Sequence, residues 1–152
     1  MKYQILCIGR IKDAYFRDII EECQNQVKRS GSQLEIVEYP DLRIPDRLQR
    51  QEKERFLEKE CARVMERIHA DDCVIALCIE GKELTTGQHR QYVREAVLNG
   101  KQRITYVIGG SLGLPEKLKR RADLKLSFSR MTFPHQMMRM VLSEEIVRIQ
   151  TG

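Results

Sequence analysis

The sequence predicts a single α/β domain, residues 1–152, with a mostly parallel sheet and helices on both faces. Strand-like apolar runs alternate five times with helix-like amphipathic segments, and no repeat or change of composition marks a second domain. Two strand-to-helix corners stand out: the first corner (residues 109–113) is rich in glycine, and the second (residues 127–134) ends in proline. Because open parallel sheets bind ligands at such corners, these two segments form the candidate site.

The first half of the chain contains three predicted strands and two predicted helices. The apolar run Cys73–Ile79 is the most hydrophobic in the protein and is the best candidate for a central strand buried on both faces. In chain order the five elements are Tyr3–Gly9, Asp13–Lys28, Leu34–Tyr39, Arg47–His69 and Cys73–Ile79.

The second half contains three helices and two strands. Thr85 or Thr86 caps the first helix, and Asn99-Gly100 ends it. The remaining elements are a strand over Ile104–Ile108, a short helix over Pro115–Ala122, a strand over Leu124–Ser129 and a last helix over Pro134–Ile149.

The basic residues are concentrated around the two corners. The formal charge is +5, which on its own is a weak indication of a polyanionic partner. Distribution is more informative, although a solvated helix face explains it equally well. The concentrated cations are Lys117, Lys119, Arg120, Arg121, Lys125 and Arg130, with Arg139 just beyond.

Other composition features limit the class of protein. No run has the length of a membrane span and no apolar signal region opens the chain, so we expect a soluble, cytoplasmic protein. The five cysteines have neither disulfide nor zinc spacing, and we expect small core residues and no metal. His69 and His89 are expected on outward helix positions.

Two chemical interpretations of the first corner come from motifs. A dinucleotide fold is disfavoured because G-x-G-x-x-G is absent. Gly109-Gly110-Ser111-Leu112-Gly113 does match the nucleophile elbow of serine hydrolases, and His135 follows in the right chain order. The chain is short for a hydrolase, and the only candidates for the acid of the catalytic triad lie close to Ser111 in sequence. The favoured interpretation is therefore that Ser111 caps the following helix.

A longer pattern resembles a known family. Val107-Ile108-Gly109-Gly110-Ser111-Leu112-Gly113, followed by Leu126-Ser127-Phe128-Ser129-Arg130-Met131-Thr132-Phe133-Pro134-His135-Gln136-Met137-Met138-Arg139, is similar to the signature of the ribosomal RNA large-subunit methyltransferase H family, of the SPOUT class. The resemblance extends over nearly the whole chain, including Ile8-Gly9-Arg10-Ile11-Lys12 and the strand end Leu77–Gly81.

The resemblance implies an enzyme that uses S-adenosylmethionine to methylate N3 of a pseudouridine in large-subunit (23S) ribosomal RNA. It implies a homodimer acting on the assembled ribosome, and a carboxy-terminal trefoil knot that topology rules alone would argue against. An apolar cluster on the last helix also favours the dimer: Met137, Met138, Met140 and Val141.

The family's cofactor-binding positions can be carried over by residue. They are Leu77, Gly109, Phe128, Ser129, Arg130, Met131, Thr132 and Phe133. These types suit an adenine slot with apolar walls and close main-chain approach. In an unrelated α/β protein, Leu77 and Phe128 would be core residues and Gly109 would serve the turn.

The catalytic residue stays open. An imide nitrogen needs a base or a nearby cation, and His135, Arg139 and Arg130 are candidates by type and place. Family members continue into a tail with a Gly-x-x-Tyr-His pattern, whereas this sequence stops at Gly152. The alternative function is therefore an RNA- or ribosome-binding module with little turnover.

Overall fold

Strands and helices alternate throughout the part of the chain that the computed structural model describes, residues 1–40, 49–110 and 113–151. The predicted alternation is confirmed. The elements are β1 (Lys2–Ile8), α1 (Ala14–Arg29), β2 (Gln33–Tyr39), α2 (Arg50–Met65), β3 (Asp72–Glu83), α3 (Thr86–Leu98), β4 (Arg103–Ile108), α4 (Glu116–Arg121), β5 (Leu124–Ser127) and α5 (His135–Thr151). The expected start of the second helix at Arg47 lies outside the described residues.

The five strands pair in parallel in the order β2-β1-β4-β3-β5. All carboxyl ends therefore lie at one edge of the sheet. The middle strand is β4, not the predicted Cys73–Ile79 run. That run belongs to β3, which is buried from Asp72 to Ala76 and then becomes half-exposed at Leu77, where it passes beyond its paired neighbour β4.

Helices cover both faces of the sheet, as predicted. One apolar cluster packs α1, α3 and α5 against the sheet through Val27, Val93 and Leu142. The other packs α2 and α4 on the opposite face through Cys61, Val64 and Leu118. Within the described ranges, no helix combines the length and the apolar character needed to cross a lipid bilayer.

Two helices begin at side-chain caps that fix the preceding loops. Asp13 Oδ1 accepts from Tyr15 N at 2.9 Å at the start of α1. Thr85, rather than Thr86, caps α3 in a reciprocal box with Gln88, with the two bonds at 3.1 and 2.8 Å. The start of each helix is therefore set by its own sequence.

His89 is buried, and the expectation that it faces outward is wrong. Its side chain is 1% exposed, because it lies one turn before Val93 on the face of α3 that packs on the sheet. Its Nε2 lies 2.7 Å from the hydroxyl of Tyr106, and its Nδ1 lies 3.4 Å from Glu145 Oε2. This network joins α3, β4 and α5.

The same network shifts the pKa of Glu145, and burial shifts that of Tyr106. Hydrogen bonding to His89, together with the Thr86 hydroxyl at 3.0 Å, holds the pKa of Glu145 below its ordinary value although burial opposes this. Burial raises the pKa of Tyr106 well above its ordinary value, so its hydroxyl stays protonated and can donate.

Replacing His89 with alanine should destabilise the protein by about 1–3 kcal/mol, because the Tyr106 hydroxyl loses its buried partner. Urea unfolding at fixed protein concentration measures this. The matched control is His69→Ala at an exposed histidine, expected to change stability by less than about 0.5 kcal/mol. Equal effects from the two variants would show that the buried network contributes nothing.

Candidate functional site

A pocket of about 220 Å³ lies at the carboxyl ends of β3, β4 and β5. The structure brings the two corners together in it. The first corner contributes Gly109, Gly110 and Gly113, and the second contributes Ser127, Phe128, Ser129, Met131, Thr132 and Phe133. The pocket is therefore built largely from two segments distant in sequence whose backbones meet.

The backbone at the first corner requires glycine at position 109. Gly110 and Gly113 form an isolated bridge, with Gly113 N donating to Gly110 O at 3.0 Å. A Cβ at position 109 would lie 2.6 Å from Gly113 O, far inside van der Waals contact. Gly109 therefore serves the turn itself. Ser111, the nucleophile of the hydrolase interpretation, lies outside the described residues.

The second corner is held by two hydrogen bonds between residues of its own sequence. Ser127 Oγ donates to Ser129 O at 2.9 Å, and Ser129 Oγ accepts from Met131 N at 3.0 Å. Phe128 packs against the apolar cluster beneath, whereas Met131 is 76% exposed. The two serines thus fix a bend that places Met131 at the exposed rim of the pocket.

A third wall comes from an irregularity in β3. Leu77 and Lys82 both pair with Leu126 of β5, so the four residues between them loop out of the ladder. The loop returns at Gly81, where a Cβ would lie 2.8 Å from the Lys125 carbonyl. Of the looped residues, Cys78, Ile79 and Glu80 line the pocket, and sequence reasoning missed them. The signals in the sequence were the family resemblance at Leu77–Gly81 and the Glu80-Gly81 turn immediately after the apolar run.

Cys78 is half-buried in this wall, whereas Cys7, Cys23, Cys61 and Cys73 are buried core residues as expected. All five thiols are free. Burial raises the pKa of Cys78, so its thiol is protonated and poorly nucleophilic at neutral pH. Its contribution to the pocket is therefore apolar surface.

An ion pair borders the pocket. Lys119 Nζ lies 2.7 Å from Glu80 Oε1, and both residues line the pocket. Their hydrogen bond raises the pKa of Lys119 and lowers that of Glu80. Lys119, which comes from α4, was noted in the sequence only as one of many cations.

The three candidate catalytic residues lie in different places. His135, the first residue of α5, is exposed and lines the pocket. The Arg130 side chain is 92% exposed, lies 3.7 Å from Glu83 and is not among the described lining residues. Arg139 is 1% exposed and lies beneath the carboxyl end of β1, where its Nη2 donates to Ile8 O at 2.8 Å. Position therefore favours His135.

Four of the seven cations in the predicted basic segment have an acidic partner in the described part of the protein. The pairs are Lys119 with Glu80, Arg121 with Asp123, Arg130 with Glu83 and Arg139 with Glu38. Lys117 and Arg120 border a groove between α2 and α4 that also contains Glu54, Glu58 and Glu116. The dense run of cations in α4 is therefore not a continuous positive surface.

Comparison with known proteins agrees with this architecture. The family model described as "Predicted SPOUT methyltransferase" matches residues 1–151. Proteins named ribosomal RNA large subunit methyltransferase H are similar over the whole chain: that of Streptococcus uberis is 43% identical over 155 residues, covering 100% of this chain and 97% of the relative. That of Streptococcus equi subsp. equi is 42% identical with the same coverage.

A third relative of the same name, from Streptococcus pyogenes, is 39% identical over 148 residues, covering 97% of this chain and 92% of its own length. The likeness therefore includes both corners, the looped wall of β3 and the last helix. With a family model spanning nearly every residue and full-length relatives at this identity, the chain belongs to the SPOUT methyltransferase family.

Proposed function

We propose that this protein transfers a methyl group from S-adenosylmethionine to N3 of a pseudouridine in large-subunit ribosomal RNA, acting on the assembled ribosome in the cytoplasm. The observation that carries the proposal is the meeting of the two corners in one pocket. Relatives named as large-subunit ribosomal RNA methyltransferases support the choice of substrate. The pseudouridine target follows from the resemblance of the second corner to that family.

The lining residues fit the proposed cofactor. Leu77, Phe128 and Phe133 offer apolar surface for a flat adenine, and the bends leave main-chain groups along the wall. The proposed cofactor residues are Leu77, Gly109, Phe128, Ser129, Arg130, Met131, Thr132 and Phe133. Because the Arg130 side chain lies near Glu83, Arg130 would bind the cofactor through its backbone.

Catalysis requires mainly that the methyl donor and the target nitrogen be aligned and that the target nitrogen lose one proton. S-adenosylmethionine supplies an already activated methyl group, so the two corners need to hold donor and target in line and exclude water. The imide N3 of pseudouridine is a poor nucleophile until it loses its proton. His135, exposed where α5 begins at the pocket, is the proposed base that accepts it.

We also propose the carboxy-terminal trefoil knot of the SPOUT class. From β5 at the outer edge of the sheet, the chain passes beside the first corner and then enters α5, which packs against α1, α3 and β4. The chain thus crosses the carboxyl ends of two other strands before its last helix. A knot further requires that this segment thread through a loop formed by earlier residues.

A homodimer is proposed from the last helix. Met137, Met138, Met140 and Val141 all keep part of their surface exposed, which is more apolar surface than one buried helix face requires. Light scattering at micromolar concentration should give about twice the mass of the 17.9 kDa chain. A monomer mass would refute the dimer and leave the proposed chemistry untouched.

The proposed activity is tested with ribosomes from a strain that lacks the modification. Incubation with methyl-labelled S-adenosylmethionine should place label in large-subunit RNA, at N3 of a pseudouridine identified by nuclease digestion and mass spectrometry. Ribosomes that already carry the methyl group are the matched control and should take up none. Cofactor binding and ribosome binding without label would favour the alternative, a binding module with little turnover.

The variant His135→Ala, measured in the same assay, tests whether His135 is the base. If His135 is the base, the variant should transfer methyl at least about 100-fold more slowly while its affinity for S-adenosylmethionine, measured by calorimetry, stays the same. Full activity of the variant would assign the imidazole a structural role.

Gly109→Ala should weaken binding of S-adenosylmethionine by roughly tenfold or more, because the new Cβ forces the Gly113 carbonyl out of place. Calorimetry measures the affinity, and circular dichroism confirms that the variant is folded. The control is Gly87→Ala, whose Cβ would meet only Thr85 Oγ1 at an ordinary 3.9 Å. An unchanged affinity in the first variant would show that the turn does not shape the cofactor site.

A further inference from the structure

The loop and first helical turn after β1 expose two cations and one aromatic ring. Arg10 and Lys12 are exposed in the loop, and Tyr15, in the first turn of α1, is 66% exposed. We refer to these three residues as the β1–α1 surface. It lies at the carboxyl edge of the sheet, the same edge that holds the pocket.

The cations of this surface differ from Lys119 and Arg121 of α4, which are paired with Glu80 and Asp123. Among the described residues, neither Arg10 nor Lys12 has an acidic partner within ion-pair distance. The neighbouring Arg17 already has partners within the protein, because its Nε donates to Ile11 O at 2.9 Å and its guanidinium lies near Glu38. Asp13 is occupied in capping α1. Arg10 and Lys12 are therefore available to an external anion.

The Tyr15 ring is exposed but held. Its backbone N–H donates to Asp13, and its ring is in edge-type contact with the ring of Phe16, with centroids 5.9 Å apart and planes at 63°. Phe16 is half-buried, so the contact anchors the tyrosine without covering both faces. An exposed and anchored aromatic face with cations beside it is the arrangement on which unpaired bases stack in proteins that bind single-stranded RNA.

A direct hydrogen bond connects this surface to the pocket. Lys12 N donates to Gln136 Oε1 at 3.2 Å. Gln136 follows His135, which lines the pocket, so the surface continues from the start of α5 to the β1–α1 loop. A nucleic acid that delivers a base to His135 would therefore extend over Lys12 and Tyr15.

We propose that the β1–α1 surface binds an unpaired segment of the RNA substrate beside the target nucleotide. One base stacks on Tyr15, and the adjacent phosphates pair with Arg10 and Lys12. This inference rests on the proposed function, because it requires an RNA substrate whose target base enters the pocket.

The test measures ribosome affinity over a range of salt concentrations for Tyr15→Ala, Tyr15→Phe and the double variant Arg10→Ala/Lys12→Ala. Tyr15→Ala should bind about tenfold more weakly, whereas Tyr15→Phe, which keeps the ring, should stay within about twofold. The double variant should flatten the slope of log affinity against log salt by about 1.4, or about 0.7 for each lost phosphate contact on a single strand.

Two matched controls separate this surface from general effects. Lys28→Ala removes an exposed cation from the last turn of the same helix, about 20 Å from Tyr15, and should keep the slope. Leu98→Ala removes an exposed apolar side chain, 84% exposed, at the end of α3 and should keep the affinity. All variants should bind S-adenosylmethionine like the unaltered protein, which shows that the pocket is intact.

The outcomes are distinguishable. Tyr15→Ala binding ribosomes as tightly as Leu98→Ala overturns the β1–α1 surface while methyl transfer by the unaltered protein keeps the proposed function. A change of mass in light scattering on Tyr15→Ala also overturns it, because the ring would then lie between two copies of the chain. Failure of the unaltered protein to bind ribosomes removes both proposals.

Discussion

The buried guanidinium of Arg139 fixes where the last helix can lie. It reaches from α5 to the carboxyl end of β1, donating to Ile8 O at 2.8 Å and lying 3.4 Å from Glu38. Arg139 is 1% exposed and Glu38 is 22% exposed, so breaking this pair should cost more than the roughly 0–1 kcal/mol of an exposed ion pair. Its Nε has no hydrogen-bond partner among the described residues. The hydrogen bonds of the guanidinium therefore come from its other two nitrogens, which contact Ile8 of β1 and Glu38 of β2. The start of α5 is therefore tied to the far side of the sheet from β5.

This anchor determines the path of the second corner. The chain leaves β5 at one edge of the sheet and must reach a helix that begins near β1, so residues 128–134 are drawn across the carboxyl ends of β3 and β4. The first corner occupies the end of β4 and has no room for a side chain at Gly109. Contact between the two corners follows from these constraints, and the pocket is the space left between them and the looped wall of β3.

The sequence predicted what depends on local chemistry. Alternating apolar runs, the Thr85 cap and the two corners are all encoded within short segments, and each was placed correctly to within a few residues. What it could not supply depends on long-range pairing. The loop of β3 exists because Leu77 and Lys82 both pair with Leu126, and no local pattern reveals a shared partner. His89 was misplaced because its burial is decided by Tyr106 and Glu145, from two other elements.

Charge shows the same division between local pattern and tertiary context. The run of cations around α4 was the strongest charge signal in the sequence, yet the fold places Glu80, Asp123 and Glu83 beside its members. Arg10 and Lys12 formed no conspicuous run, but neither has an acidic partner among the residues that the structure describes, and Lys12 is hydrogen-bonded to Gln136 beside the pocket. An external polyanion gains most from cations that lose no internal partner on binding. Binding potential therefore depends on which cations lack an internal partner. Arg10 and Lys12, which have no acidic partner among the described residues, lie beside an exposed tyrosine on the edge where the two corners meet.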